Sequence, residues 1–235
     1  MRIGGLQKFS LIDYPGKVSC VIFTQGCNFR CCYCHNPELV VAEKFCPTIP
    51  EKEVFEFLRS RQKYLQGVVV SGGEATIHVD LVSFLNRIKQ LGYLIKIDTN
   101  GSLPNQLKSL IQLKLVNYIA MDIKAPLVRY QKLAGQSFDV QNIKESIDLI
   151  INSGIKHQFR TTIIKDLFLD DDLCQIRQLI QGAGSYCLQK VRLDEKILDK
   201  SLLSQQQFSD DEFNNLNQRF QIREFQSTGC GRANE

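Results

Sequence analysis

Short apolar runs alternate with segments of helical spacing along nearly the whole chain, and this alternation limits the possible folds more than any other feature. Residues 17–24 (KVSCVIFT) form the first β-branched run. Thr48-Ile-Pro-Glu51 has the form of a capping box and opens a predicted helix to about residue 64. Residues 67–71 (GVVVS) read as a strand buried on both faces. Between 78 and 90, Leu81, Val82, Leu85 and Ile88 recur at helical spacing, and Gly92 closes the helix. A strand over 93–99, a helix over 103–115 and a strand over 116–124 follow. Then come a helix over 140–153, stopped by Gly154, and a strand over 156–164. A further helix starts in the acidic run Asp170–Asp172, which complements its dipole, and a sixth strand spans 185–193. Ser209-Asp-Asp-Glu212 is a second capping box, opening a last helix to about 221; the polar tail after Thr228 is expected to fray. Six β/α units predict an α/β fold with a parallel sheet and right-handed crossovers. The expected division is an N-terminal extension (1–16), a core (17–200) and a C-terminal helix and tail (201–235). Alternation alone leaves a partial barrel and an open doubly wound sheet equally available.

The N-terminal MRIGGLQKFSLIDYPGK lacks the apolar core of a secretory signal, and no run of about 18 apolar residues stands out, so a cytoplasmic, membrane-free protein is expected. Net charge is +4 without a basic block, which gives nucleic-acid binding no electrostatic footprint. Against that background nine cysteines are many. Cys20, Cys46, Cys174, Cys187 and Cys230 are scattered and read as small hydrophobes or surface thiols. The other four crowd between Cys27 and Cys34.

That crowd, Cys27-Asn-Phe-Arg-Cys31-Cys32-Tyr33-Cys34, contains C-x3-C-x2-C. Three thiolates so close together can grip one face of a four-iron cubane and leave the fourth iron open to another molecule. The rival is structural zinc with His35 as fourth ligand, but His35 adjoins Cys34, and usual zinc spacings leave two or more residues between ligands. One strand later comes Ser71-Gly72-Gly73-Glu74. Its glycines would let backbone approach a ligand, and Glu74 could hold a cationic group such as an amine.

The two motifs together resemble the hallmarks of the radical S-adenosylmethionine (SAM) superfamily. The segments GGLQKFSLIDYPGKVSCVIFTQGCNFRCCYCHNPEL, SGGEAT, DTNGS, YIAMDIKAP and FRTTI resemble its glycyl-radical-enzyme activases, in particular the activating proteins of anaerobic ribonucleoside-triphosphate reductase. The resemblance implies a partial (β/α)6 barrel holding a [4Fe-4S] cluster on Cys27, Cys31 and Cys34, with SAM chelating the open iron. Tyr33 and the backbone on to His35 would lie along the adenine. Gly73 and Glu74, with Gly72 before them, match the segment that receives the SAM amino group. Asp122 and Lys124 would meet its carboxylate end. Asp98 and Thr99 match residues beside that end, with Asp122 a place for a monovalent cation, and Arg160 matches an arginine that approaches SAM.

Each motif falls near the C-terminal end of an expected strand, and in a parallel β/α barrel those ends share one mouth. Asp122 and Lys124, two apart, would share a face of their strand. Asn100-Gly101 and Tyr14-Pro15-Gly16 read as turns, and His78 and His157 as structural or surface residues. Relatives usually carry proline where this chain has Cys32, so Cys32 is an alternative to Cys31 as ligand, although Cys31 gives the family spacing.

The implied activity is reductive cleavage of SAM to a 5′-deoxyadenosyl radical, which takes a hydrogen from one glycine of a partner enzyme. Flavodoxin or ferredoxin would supply the electron. The open mouth of a six-unit barrel suits a peptide loop. The alternatives are a radical SAM enzyme for a small molecule, such as one like 7-carboxy-7-deazaguanine synthase, and a non-catalytic zinc- or cluster-binding module.

Overall fold

The computed structural model describes residues 1–165, 167–168 and 170–222. Seven strands form a single sheet in chain order: β1 (Ile3–Ser10), β2 (Ser19–Thr24), β3 (Gly67–Gly72), β4 (Leu94–Thr99), β5 (Tyr118–Asp122), β6 (Lys156–Ile163) and β7 (Tyr186–Lys190). β2 to β7 are parallel, and β1 adds to β2 antiparallel. Among the described residues β1 and β7 do not pair with each other, so the sheet does not close, which is the partial barrel expected; the outer edge of β7 carries an antiparallel bridge between Tyr186 and Ile222. β1 was not anticipated. Its segment reads GG near the start and carries Gln7 and Lys8, so it lacks the apolar alternation of a strand. The residues expected as an N-terminal extension therefore include an edge strand of the sheet.

The helices are α1 (Pro37–Val40), α2 (Glu51–Arg61), α3 (Leu81–Gln90), α4 (Pro104–Gln112), α5 (Tyr130–Ala134), α6 (Gln141–Asn152), α7 (Asp170–Leu179) and α8 (Asp210–Phe220). The Ser209 capping box forms, with Glu212 N donating to Ser209 Oγ and Ser209 N to Glu212 Oε2. The Thr48 box does not. Pro50 is the N-cap of α2, and no side chain caps it, so the helix starts at the proline-imposed bend instead. α3 starts at Leu81 rather than at 78, because a 3-10 turn over Ala75–Ile77 occupies the loop before it. Gly92, at φ +84°, ends α3 as expected.

The period of two along each strand sorts side chains onto two faces. On β3, Val68 and Val70 join the large cluster under the helices, while Val69 joins Val21, Tyr118 and Ala120 inside the barrel. On β4, Ile95 and Ile97 face the helices, which leaves Lys96 and Asp98 on the inner face. The inner face therefore starts apolar at the strand N-termini and becomes charged toward the C-terminal ends. No helix among the described residues is long and apolar enough to cross a membrane.

Candidate active site

One cavity of about 240 Å³ opens at the C-terminal ends of the strands. It is lined by Cys27, Cys31, Cys34, Tyr33, His35, Gly72, Gly73, Glu74, Asp98, Thr99, Asp122, Lys124 and Arg160, so every residue singled out from the sequence for cluster or cofactor contact borders it. A larger, open groove between α4 and α6 contains none of them.

The cysteine loop leaves β2 and is held by backbone. Arg30 N donates to Ala134 O at 2.7 Å, and Arg30 Nη1 donates to the carbonyls of Cys27 and Phe29. Gly135 is at φ +66°, and a Cβ there would lie 2.2 Å from Arg30 O, so this contact requires glycine. On the far side, Asp199 N donates to Cys32 O and Leu198 N to Cys34 O, each at 2.9 Å. Cys31, not Cys32, borders the cavity. Burial pushes the Cys27 thiol up to about 12 and the Cys31 thiol to about 11, with Lys124 opposing the rise at both. A ligand that needs thiolates must displace those protons on binding.

Gly72 and Gly73 serve a purpose the sequence did not reveal. A Cβ on Gly73 would sit 2.0 Å from Gly26 O, and one on Gly72, at φ +113°, 2.4 Å from Thr24 N. Close packing of this turn on the end of β2 requires the glycines, which also border the cavity. Gly73 N and Glu74 N donate to the carbonyls of Thr24 and Gly26. What the segment can offer an amine is thus carbonyl oxygen.

Glu74, read from sequence as able to hold a cationic group, has protein partners on both oxygens. It is buried, and its Oε1 accepts from Thr76 N, Thr76 Oγ1 and Thr99 Oγ1 while Oε2 accepts from Asn100 N at 2.6 Å. Burial raises its pKa above the usual 4.5, against the lowering effect of those donors. The side chain ties the turn after β3 to the turn after β4. Its neighbour Asn100, taken from sequence as a turn residue, is buried and lines the cavity. Its Nδ2 donates to Asn28 Oδ1 at 2.9 Å and lies 3.9 Å from Cys27 Sγ. The hints were its place directly after a strand that ends in the cavity and within the family-like segment DTNGS.

The charged residues form one network. Arg160 Nε donates to Asp122 Oδ1 at 2.8 Å, and Lys124 Nζ to Asp122 Oδ2 at 3.0 Å. Arg160 Nη1 is 3.6 Å from Asp98 Oδ2, which also accepts from Ser71 Oγ at 3.0 Å. Lys96 Nζ donates to Asp98 Oδ1 at 2.5 Å. Burial alone would raise the Asp122 pKa, but Arg160 and Lys124 outweigh it and hold the carboxyl well below the usual carboxylate range. Asp122 and Lys124 are thus an ion pair and cavity residues at once.

Other expectations fall into place outside the site. His157 Nε2 accepts from Gly184 N and its Nδ1 meets Ile155 O, a structural role. His78 is buried away from the cavity. Cys46 and Cys174 are exposed, Cys20 is buried and Cys187 half-buried; Cys230 lies outside the described residues.

Among the described residues no three His, Cys, Asp or Glu side chains converge as ligands of a single ion would. The sulfurs instead border a cavity. Tyr33 contributes a buried hydroxyl with no protein partner, beside groups of both charge signs. Such lining fits a bulky zwitterionic guest better than a lone metal ion, because an unpartnered buried hydroxyl gains most from a polar ligand.

The family model described as the Radical SAM superfamily matches residues 21–180. The chain belongs to the radical SAM superfamily. It is 33% identical over 196 residues to a protein of Methanocaldococcus jannaschii named as a candidate glycyl-radical enzyme activating enzyme, covering 80% of this chain and 79% of the relative. It is 26% identical over 231 residues to the pyruvate formate-lyase-activating enzyme of Clostridium pasteurianum, covering 96% and 91%. With these relatives it is an enzyme of the glycyl-radical-enzyme activating type. The fold also matches SuiB of Streptococcus suis bound to S-adenosylmethionine, with a TM-score of 0.66 at 17% identity over 89% of this chain and 50% of SuiB.

Proposed function

We propose that the chain generates a glycyl radical on anaerobic ribonucleoside-triphosphate reductase, using a [4Fe-4S] cluster held by Cys27, Cys31 and Cys34. The observation that carries this is the single cavity onto which three cysteines, the Gly72–Gly73–Glu74 turn and the Asp98/Asp122/Lys124/Arg160 network all open. The chemistry the cluster and SAM supply when bound is one-electron cleavage of the sulfonium and hydrogen-atom abstraction.

The chain's own residues bind and orient. The carbonyls of the glycine turn accept from the SAM amino group, and Lys124 with Arg160 faces its carboxylate. Tyr33 and the backbone to His35 lie along the adenine, where the Tyr33 hydroxyl gains the partner it lacks in the protein. Asn100 stands beside Cys27 Sγ and steadies that ligand through Asn28. The unclosed sheet leaves room for a partner's peptide loop. Flavodoxin or ferredoxin would deliver the electron, in the cytoplasm. A monovalent cation beside Asp98, Thr99 and Asp122 is not included, because those side chains already have cationic or hydrogen-bonding partners.

The reductase is favoured as partner by the resemblance running from GGLQKFSLIDYPGK through FRTTI; pyruvate formate-lyase is the second reading, supported by the match to its activase. The test presents the reconstituted protein, with SAM and reductant, to each enzyme separately and records the glycyl radical by electron paramagnetic resonance. A radical on the reductase is expected. A radical on pyruvate formate-lyase alone would replace the first reading by the second.

A further inference from the structure

Lys96 is an unusual residue for its position. It lies in the middle of a barrel strand and is only 4% exposed, on the inner face between Val69 and Tyr118. An ammonium taken that far from water needs a strong partner, and Asp98, two residues along the same face, provides it at 2.5 Å.

The pair changes what the cavity can accept. The residues expected to border a monovalent cation were Asp98, Thr99 and Asp122. Asp98 Oδ1 is taken by Lys96, and Oδ2 faces Ser71 Oγ and Arg160. Asp122 accepts from Arg160 at one oxygen and Lys124 at the other. The Thr99 hydroxyl donates to Glu74 and accepts from Gly101 N. Each of the three thus already has its partners within the protein. Lys96, Lys124 and Arg160 set three positive charges against Asp98 and Asp122, and Glu74, which borders the same cavity, brings the balance to zero without a further cation.

We infer that the Lys96 ammonium takes the place of a monovalent cation, so that this protein binds SAM independently of potassium or sodium. The inference rests on the reading that SAM occupies the cavity. Lys96 acts as a positioning residue. By holding Asp98 it lessens that carboxylate's claim on the Arg160 Nη1, 3.6 Å away, and leaves the guanidinium to face the SAM carboxylate.

The test measures SAM affinity of the reconstituted holoenzyme by equilibrium dialysis in potassium, sodium and choline chloride at equal ionic strength, which keeps screening constant. For the native protein the dissociation constants agree within about twofold, since simple screening is matched. For Lys96→Met, affinity in choline falls by about tenfold, the scale of one lost charge-assisted contact. Potassium or ammonium then restores it, a rescue that a merely structural lesion would not show. Native affinity that is several-fold tighter in potassium than in choline overturns the inference, and this arm needs no variant. So does a folded Lys96→Met protein that binds SAM in choline as the native one does. Absence of SAM binding by the native holoenzyme in every salt would instead remove the cavity's assignment to SAM, and the inference with it.

Discussion

Glu74→Gln separates two roles for the most buried acid of the site. The carboxylate takes four donors, three on Oε1 and the Asn100 N–H on Oε2. A glutamine keeps one oxygen. Its better orientation leaves that oxygen at the Oε1 position, so its amide N–H₂ points at the Asn100 N–H. One charge-assisted bond is lost, a buried N–H is left unsatisfied, and the remaining three bonds become neutral. The unsatisfied group and the weakened bonds each cost roughly 1–3 kcal/mol. Relief of burying a charge offsets part of this, as the raised pKa of Glu74 implies. The net expected loss is about 2–3 kcal/mol, which in a chain of this size lowers Tm by roughly 5–10 °C. Anaerobic urea unfolding of the cluster-free protein measures it. If Glu74→Gln unfolds within about 0.5 kcal/mol of the native protein while SAM affinity collapses, Glu74 is a ligand carboxylate and not the tie between two turns.

The remaining predictions concern the same cavity. Cys32→Ala retains full iron content after reconstitution whereas Cys31→Ala loses the cluster, because only Cys31 borders the cavity; iron and sulfide analysis decides. Tyr33→Phe leaves the stability of the cluster-free protein unchanged or slightly raised, since the hydroxyl has no partner there, but weakens SAM binding by about 1 kcal/mol. For Asp122→Asn the sign follows from the depressed native pKa. On acidification the unfolded chain takes the proton first, so the native advantage is full well above the ordinary value of 3.8 and shrinks as pH falls below it. Denaturant unfolding of both proteins across the acid range should therefore converge. A stability gap that widens toward acid would refute the ion-pair account.

Much of the fold was legible because the parallel strands are short, apolar and fenced by glycine, as GVVVS is. The edge strand β1 was not, because one face is exposed and its glycines and polar residues hide the period. The site was legible where residue type and spacing state the chemistry, as in C-x3-C-x2-C. It was not legible where partners are distant in sequence. The glycine turn reads as ligand space until the carbonyl of Gly26 is seen 2.0 Å from where a Cβ would be. The bonds that Thr99 and Asn100 make to Glu74 come from the next strand's end and leave no local signal. Lys96 drew no attention, because a lysine inside a strand ordinarily points to water and only the pairing of β3, β4 and β5 encloses it.

The most direct test of the account is 5′-deoxyadenosine formation by the anaerobically reconstituted protein with SAM and dithionite, beside a Cys31→Ala control. The cavity assignment predicts product from the native protein and none from the control. Equal product from both, or a native protein that assembles no iron–sulfur cluster, would contradict it.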